Sequence, residues 1–119
     1  MPLFLTRCAA IVAGGAAAGG TIWYKGELKD VMSGTVPQIH KAAVQAVKNL
    51  KFEIKNEKSD ELRGELEAEM SDGTKVKISS RSKDKNITEI RVRVGIMGDK
   101  QVSQRIVDEI RNNLTTGNK

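Results

Sequence analysis

The chain has 119 residues, of which 39% are hydrophobic and only 3% aromatic, and 20 basic against 15 acidic residues give a formal charge of +5. This length predicts one domain with a mainly aliphatic core. The single cysteine excludes an internal disulfide and a cysteine-based zinc site, while the positive charge is compatible with an anionic partner.

The first quarter of the chain has the composition of a membrane-attachment segment. Cys8 follows a short apolar run, and residues 8–24 carry no charge. Leu5 and Cys8 have the spacing of a bacterial lipoprotein signal, although Arg7 stands where a small residue is expected and the stretch before Cys8 is shorter than an ordinary signal peptide. We expect residues 1–20 to form a leader and membrane-proximal segment, with Cys8 as the candidate lipidation site.

Two other interpretations of this segment remain open. A helix over residues 8–24 would span about 25 Å, slightly less than the hydrocarbon core of a bilayer at about 30 Å. Gly15 and Gly19 have the small-xxx-small spacing that favours close helix packing. The segment would then be a transmembrane or signal anchor. The third interpretation is a soluble segment.

The folded part is predicted to begin with a strand. Ile22, Tyr24 and Leu28 lie at even spacing, with Trp23 and charged residues between them, which is typical of an extended chain. Gly26 interrupts this pattern and is expected to be a weak point or a bulge.

A helix is predicted to follow. Thr35 and Gln38 have the spacing of a capping box, and Pro37 fits the first helical turn. The helix is expected to end near Asn49. Its apolar side chains recur at helical spacing and form one stripe: Val36, Ile39, Ala43, Val47 and Leu50.

Three strands are predicted next. Phe52 and Ile54 alternate with charged residues, and a turn is expected at residues 58–60. Alternating positions over residues 62–70 predict the second of these strands. Val76 and Ile78 predict the third.

The turn between the last two of these strands fixes their register. We expect a three-residue loop at residues 71–73 with Gly73 in the left-handed conformation. Apolar positions then face apolar positions, and acidic residues face lysines. A two-residue turn would mix the buried and exposed faces. The predicted pairs are Glu69 with Lys75, Ala68 with Val76, Glu67 with Lys77, and Leu66 with Ile78.

The last strand and a closing helix complete the pattern. Ile90, Val92, Val94 and Ile96 alternate with charged residues, and Gly95 and Gly98 bracket a tight exit. Asp99 is the predicted N-cap of the helix. The apolar face of this helix is expected to contain Val102, Ile106, Val107, Ile110 and Leu114.

The predicted order is β-α-β-β-β-β-α. Because nearly every strand alternates, one sheet face is expected to be buried and the other solvated, with both helices on the buried face. We therefore expect a two-layer α+β domain over residues 21–114, with a mainly antiparallel sheet, and a frayed tail over residues 115–119.

Several segments resemble a family of small, uncharacterised bacterial envelope lipoproteins that is known only as a domain of unknown function. The matching segments are Cys8–Ala10, Tyr24–Lys29, Asp72–Thr74 and Arg91–Asp99. The resemblance covers nearly the whole chain and implies secretion, lipidation at Cys8 and a periplasm-facing location. It supplies no catalytic residue. In such a lipoprotein, Ala9 after the cysteine would permit sorting to an outer membrane.

A search for reactive residues gives no catalytic or metal-binding set. His40 is the only histidine and is expected at the boundary or surface of the first helix, with no cluster of metal ligands around it. Glu65, Glu67 and Glu69 share a strand face that lysines are expected to neutralise. Residues 95–99 lack the Gly-Lys-Ser/Thr core of a phosphate loop. We expect no catalytic residue, no metal and no cofactor.

The outer sheet face is the one surface of functional interest. Its expected basic residues are Lys75, Lys77, Arg91 and Arg93, with Arg81 beside them. This face is either an ordinary solvated surface or a contact for anionic lipid headgroups or an acidic envelope protein. No nucleic acid is expected, because nucleic-acid-binding sheets need exposed aromatic residues and this face is predicted to have none.

These features favour a non-enzymatic, lipid-anchored cell-envelope protein that acts as a binding or scaffolding module. The membrane is its expected partner through a lipid or apolar anchor, with residues 9–20 as the spacer. The alternative is a membrane-embedded anchor protein whose Gly/Ala helices oligomerise. A cytosolic nucleic-acid-binding domain is a third hypothesis, and an enzyme is a distant fourth.

Overall fold

A computed structural model describes residues 21–117, and the predicted lipidation site Cys8 and the segment 1–20 lie outside the described residues. Six antiparallel strands form one sheet, and two helices pack on one of its faces, as predicted for an α+β domain. The elements are β1 (Thr21–Tyr24), β2 (Glu27–Ser33), α1 (Val36–Asn49), β3 (Glu53–Ser59), β4 (Arg63–Glu69), β5 (Lys75–Asp84), β6 (Ile87–Val94) and α2 (Lys100–Gly117).

The core lies between the inner face of the sheet and the two helices. The strand order is β1-β2-β6-β5-β4-β3, so the central strands β6 and β5 lie beneath the helices. Alternate residues of these strands are buried and the others face solvent. The largest fully buried side chains are Leu28, Ile39, Leu66, Ile90, Ile106, Ile110, Val36, Val47, Val76, Val92, Val94 and Val107.

The prediction of a single first strand is wrong, because this segment forms a hairpin of two strands. Lys25 and Gly26 both have positive φ, 52° and 83°, and form a two-residue turn. Trp23 therefore pairs with Leu28 on the inner face, and Tyr24 pairs with Glu27 on the outer face. The element order becomes β-β-α-β-β-β-β-α.

The predicted start and end of α1 are confirmed. The Gln38 backbone N–H donates to the Thr35 hydroxyl over 3.4 Å, and the Thr35 N–H donates to the Gln38 side-chain oxygen over 2.9 Å. This is the capping box that the spacing predicts. The stripe packs inward, with Leu50 half-buried and the others buried.

The turn predicted at residues 58–60 lies further along the chain, because β3 continues through Ser59. The Asp60 carboxylate closes the turn by accepting the backbone N–H groups of Leu62 at 2.8 Å and Arg63 at 2.9 Å. These hydrogen bonds lower the pKa of Asp60 from its usual value. A short polar turn residue therefore decides where β4 begins.

The predicted β4–β5 hairpin is confirmed in loop length and register. Gly73 has a φ of 90° and donates its N–H to the Met70 carbonyl over 2.9 Å, and the Met70 N–H donates to the Thr74 carbonyl over 2.8 Å. The observed pairs are Glu69 with Lys75, Ala68 with Val76, Glu67 with Lys77, and Leu66 with Ile78.

The exit from β6 differs from the prediction at Ile96. The strand ends at Val94, Gly95 turns with a φ of 75°, and the Ile96 side chain is 93% exposed. Asp99 is the N-cap as predicted, since its carboxylate accepts the Val102 N–H at 3.1 Å. Helix α2 is described through Gly117, beyond the predicted end of the domain at residue 114.

Candidate functional site

The outer sheet face brings together the basic residues that the sequence places on it. Lys77 pairs with Arg93 directly across β5 and β6, and Arg91 pairs with Ser79 in the same two strands. Lys75 lies two residues before Lys77 on the same face. Both helices cover the opposite face, so in the described part of the chain this surface carries no covering element.

A shallow depression of about 260 Å³ lies on this face around Ser79. Five basic side chains line it against three carboxylates, so its local charge is positive. The pairing of β4 with β5 places Arg63 opposite Arg81 and so adds Arg63 to this lining. Arg63 is not among the basic residues expected from the sequence. The charged lining residues are Arg63, Lys77, Arg81, Arg91, Arg93, Glu27, Glu65 and Glu89.

The predicted basic residues are not equivalent. The Arg93 guanidinium donates to the Lys25 carbonyl at 3.1 and 3.4 Å, so it holds the β1–β2 turn against β6. The Arg91 guanidinium lies 3.4 Å from the Glu89 carboxylate. Within residues 21–114, no carboxylate lies within 4 Å of the Lys75 or Lys77 ammonium groups. These two lysines are therefore the cations of this set most available to an external anion.

The expectation that this face lacks aromatic side chains is wrong. Tyr24 is 54% exposed and lies on the outer face, because the hairpin turn reverses the chain after it. The ammonium groups of Lys25 and Lys29 lie 5.3 and 5.5 Å from its ring centroid. The signal for this placement was the Lys25-Gly26 pair, a weaker form of the Asn-Gly turn signature. The ring lies on an edge strand, at the margin of the face.

His40 is buried, which corrects the expectation that it lies at the boundary or surface of the first helix. The residue is 7% exposed, and Nε2 lies 3.3 Å from the Glu57 carboxylate. Gly64 makes room for the ring, since a Cβ at that position would lie 2.9 Å from His40 Nδ1. The pair joins α1 to the edge strand β3, and among the described residues no three His, Cys, Asp or Glu side chains converge as metal ligands.

Asp30 is a second buried ionisable residue that the sequence pattern did not reveal. Its side chain is fully buried in β2 and accepts a hydrogen bond from the Arg111 guanidinium of α2. Its other oxygen accepts the Val31 N–H at 2.8 Å. The carboxylate thus has the partners that a buried charge requires, and it ties the closing helix to the sheet.

None of the helices described over residues 21–117 is both long enough and apolar enough to cross a bilayer. A comparison with curated proteins found no match. The family described as "protein of unknown function (DUF3568)" matches residues 1–113, which include the N-terminal segment and all six strands. Because this match covers nearly the whole sequence, the chain belongs to the DUF3568 family of proteins of unknown function.

Proposed function

We propose that the chain is a non-enzymatic, lipid-anchored cell-envelope protein whose α+β domain is a binding module. Cys8 is the acylation site, residues 9–20 are the spacer, and the outer sheet face is the contact surface. The observation that best supports the proposal is the order of the anchor segment and the domain along the chain. An uncharged segment that contains the only cysteine leads straight into the edge strand of a sheet whose outer face is open and basic.

The location follows from the same segment. A lipid on Cys8 would hold the domain at a membrane surface, and the resemblance to envelope lipoproteins favours the periplasmic side. Ala9 after the cysteine favours attachment to an outer membrane. One acyl chain gives only reversible membrane binding, so stable attachment requires further acylation or a second contact with the membrane.

The binding partner is an anionic surface. Lys75 and Lys77 offer ammonium groups, and Arg63, Arg81 and Arg91 surround the depression beside them. Lipid phosphates and the carboxylates of an acidic envelope protein share the chemistry that such a face would recognise.

Radiolabelled palmitate incorporation in cells tests the anchor. We expect the wild-type protein to take up label and the Cys8→Ser variant to take up none. A matched control is Cys8→Ser with Ser71→Cys, which returns one cysteine to an exposed turn without the Cys8 context. This control should also remain unlabelled. Label that persists in Cys8→Ser, or its absence from the wild type, would overturn lipidation at Cys8.

Fractionation of the same cells separates the alternatives. A lipid anchor predicts that Cys8→Ser releases the protein from the membrane fraction. A Gly/Ala membrane helix predicts that Cys8→Ser stays membrane-bound and that Gly15→Leu disrupts its oligomers. A wild-type protein that is found wholly in the soluble fraction would remove both forms of anchor.

A further inference from the structure

The turn between β6 and α2, residues 95–98, exposes two large apolar side chains at one end of the sheet. We call this turn the tip. Ile96 is 93% exposed and Met97 is 89% exposed. They are the most exposed large apolar residues among those that the structure describes. Together they form a small exposed apolar patch, and patches of this kind are found at interaction sites.

The backbone holds the tip away from the core. Gly95 and Gly98 both have positive φ, 75° and 85°, and so turn the chain on either side of the two apolar residues. The Gly95 N–H donates to the Lys75 carbonyl over 2.7 Å. Gly98 packs against the backbone of Gly26, so closely that a Cβ on Gly98 would lie 2.6 Å from Gly26 Cα. The tip is therefore braced from both sides.

Basic side chains surround a groove beside the tip. This groove has a volume of about 1120 Å³, and Ile96 and Met97 form one of its walls. Lys75, Lys77 and Arg93, which we call the basic rim, line it together with Lys55. Its carboxylates are those of Glu67 and Glu69, of which Glu69 lies 3.9 Å from the Lys55 ammonium group. The rim thus adds positive charge next to exposed apolar surface.

We propose that the tip inserts into the surface of an anionic phospholipid bilayer while the basic rim contacts the lipid phosphates. Apolar side chains at the headgroup boundary leave water, and anionic lipids attract the neighbouring cations. Ion pairs with an acidic protein surface would satisfy the rim but would by themselves leave Ile96 and Met97 in water. This inference rests on the proposed function for the membrane at which the domain is held, and it supplies the second membrane contact that is the alternative to further acylation.

The length of chain before the domain permits this orientation. Residues 9–20 span at most about 40 Å when fully extended. Thr21 lies three residues before Tyr24 along β1, a distance of about 10 Å. Tyr24 precedes the turn whose Gly26 packs against Gly98. A chain fixed to a membrane at Cys8 can therefore bring the tip to the same membrane.

Fluorescence from a probe at the tip tests insertion directly. The full chain carries Cys8→Ser so that one introduced cysteine takes an environment-sensitive dye, at Met97→Cys or, as the matched control, at Leu62→Cys. Leu62 is also exposed and apolar, at 67%, but lies in the β3–β4 turn at the opposite end of the sheet. Vesicles contain phosphatidylcholine with or without phosphatidylglycerol, and some include a lipid-borne quencher.

We expect the dye at position 97 to shift to shorter wavelength and to be quenched only with anionic vesicles, while the dye at position 62 stays as in buffer. Ile96→Asp should weaken vesicle binding about tenfold, the loss expected when one side chain of this size no longer leaves water. Circular dichroism of each labelled chain verifies its fold.

Three results would overturn the proposal. The first is a dye at position 97 that reports water whether or not the chain is vesicle-bound. The second is equal insertion at positions 97 and 62, or equal insertion with and without anionic lipid. The third is a solution dimer that Met97→Asp abolishes, which would assign the tip to a second copy. Because Cys8 is absent throughout, none of these results repeats the palmitate experiment, so failure of either proposal is recognisable separately.

Discussion

Replacing Gly98 with alanine is expected to destabilise the domain much more than the same replacement at Gly73. Both glycines have positive φ, 85° and 90°, so alanine at either site costs about 1 kcal/mol from the left-handed backbone alone. The two sites differ in their surroundings. A Cβ at Gly73 would have no atom within 4 Å, whereas a Cβ at Gly98 would meet the backbone of Gly26.

The size of the difference follows from the distances at Gly98. Its Cβ would lie 2.6 Å from Gly26 Cα and 2.8 Å from Gly26 C. Non-bonded carbon atoms prefer a separation of about 3.5–4.0 Å, so the two turns must move apart by about 1 Å. Overpacking of this kind costs about 1–3 kcal/mol. We therefore expect Gly98→Ala to lower the free energy of unfolding by about 3 kcal/mol, against about 1 kcal/mol for Gly73→Ala.

Urea denaturation of the full chain measures both values. Trp23 is the only tryptophan of the chain and lies half-buried on β1, next to the turn that Gly98 contacts, so its fluorescence reports unfolding at this end of the sheet. The two variants should unfold with the same denaturant dependence as the wild type but at different midpoints. Equal destabilisation by Gly98→Ala and Gly73→Ala would refute the reasoning, because it would mean that the two turns do not touch.

Gly64→Ala would place a Cβ 2.5 Å from Ser80 Oγ and 2.9 Å from His40 Nδ1, and should lower the free energy of unfolding by about 2 kcal/mol. Adding Ser80→Ala should restore about half of this loss. If urea denaturation shows that the effects of the two substitutions on the free energy of unfolding simply add, the predicted contact is contradicted. The Thr74 N–H, at 2.9 Å, holds the pKa of Asp72 below its usual 3.8. A lowered folded pKa means that the Asp72 contribution to stability is complete above pH 3.8 and is lost as the pH falls through the folded value. Asp72→Asn should therefore flatten the acid dependence of stability, and an Asp72 titration midpoint at or above 3.8 by NMR would contradict this.

Local pattern and turn chemistry were enough to predict most of the fold. Thr35 and Gln38 predicted the start of α1, and the three-residue loop at Gly73 predicted the register of β4 and β5. These predictions hold because each depends on residues within a few positions of one another, whose spacing fixes which groups can meet.

The errors have a common physical origin. The β1–β2 hairpin was predicted as one strand because the even spacing of Ile22, Tyr24 and Leu28 suits a continuous strand, and Gly26 suits a bulge as well as a turn. Ile96 continues the alternation of β6 in the sequence, but Gly95 turns the chain before it. In both cases a glycine next to an alternating pattern is compatible with two backbone conformations. Gly26 packs against Gly98, and the Gly95 N–H donates to the Lys75 carbonyl, so in each case a contact outside the local pattern accompanies the conformation observed.

At the candidate site, too, the local pattern predicts some features and only the tertiary structure reveals the others. Alternation alone places Lys75, Lys77, Arg91 and Arg93 on the outer face, and the structure finds them there. Only the pairing of strands distant in sequence could show that Arg93 is already bonded to the Lys25 carbonyl. The position of Arg63 opposite Arg81, by contrast, follows from the predicted register of the β4–β5 hairpin. The burial of His40 depends on Gly64, which lies on another element.

The sequence by itself determined the α+β class, the caps of both helices, the register of one hairpin and the solvated face of the sheet, because these follow from spacing and from turn residues. It also supplies Cys8 and the uncharged segment on which the proposed anchor rests. Only the tertiary structure decided which cations remain available and where exposed apolar side chains lie. The tip exists because Gly98 meets Gly26, a contact between residues 72 positions apart, and local periodicity carries no information about such a contact.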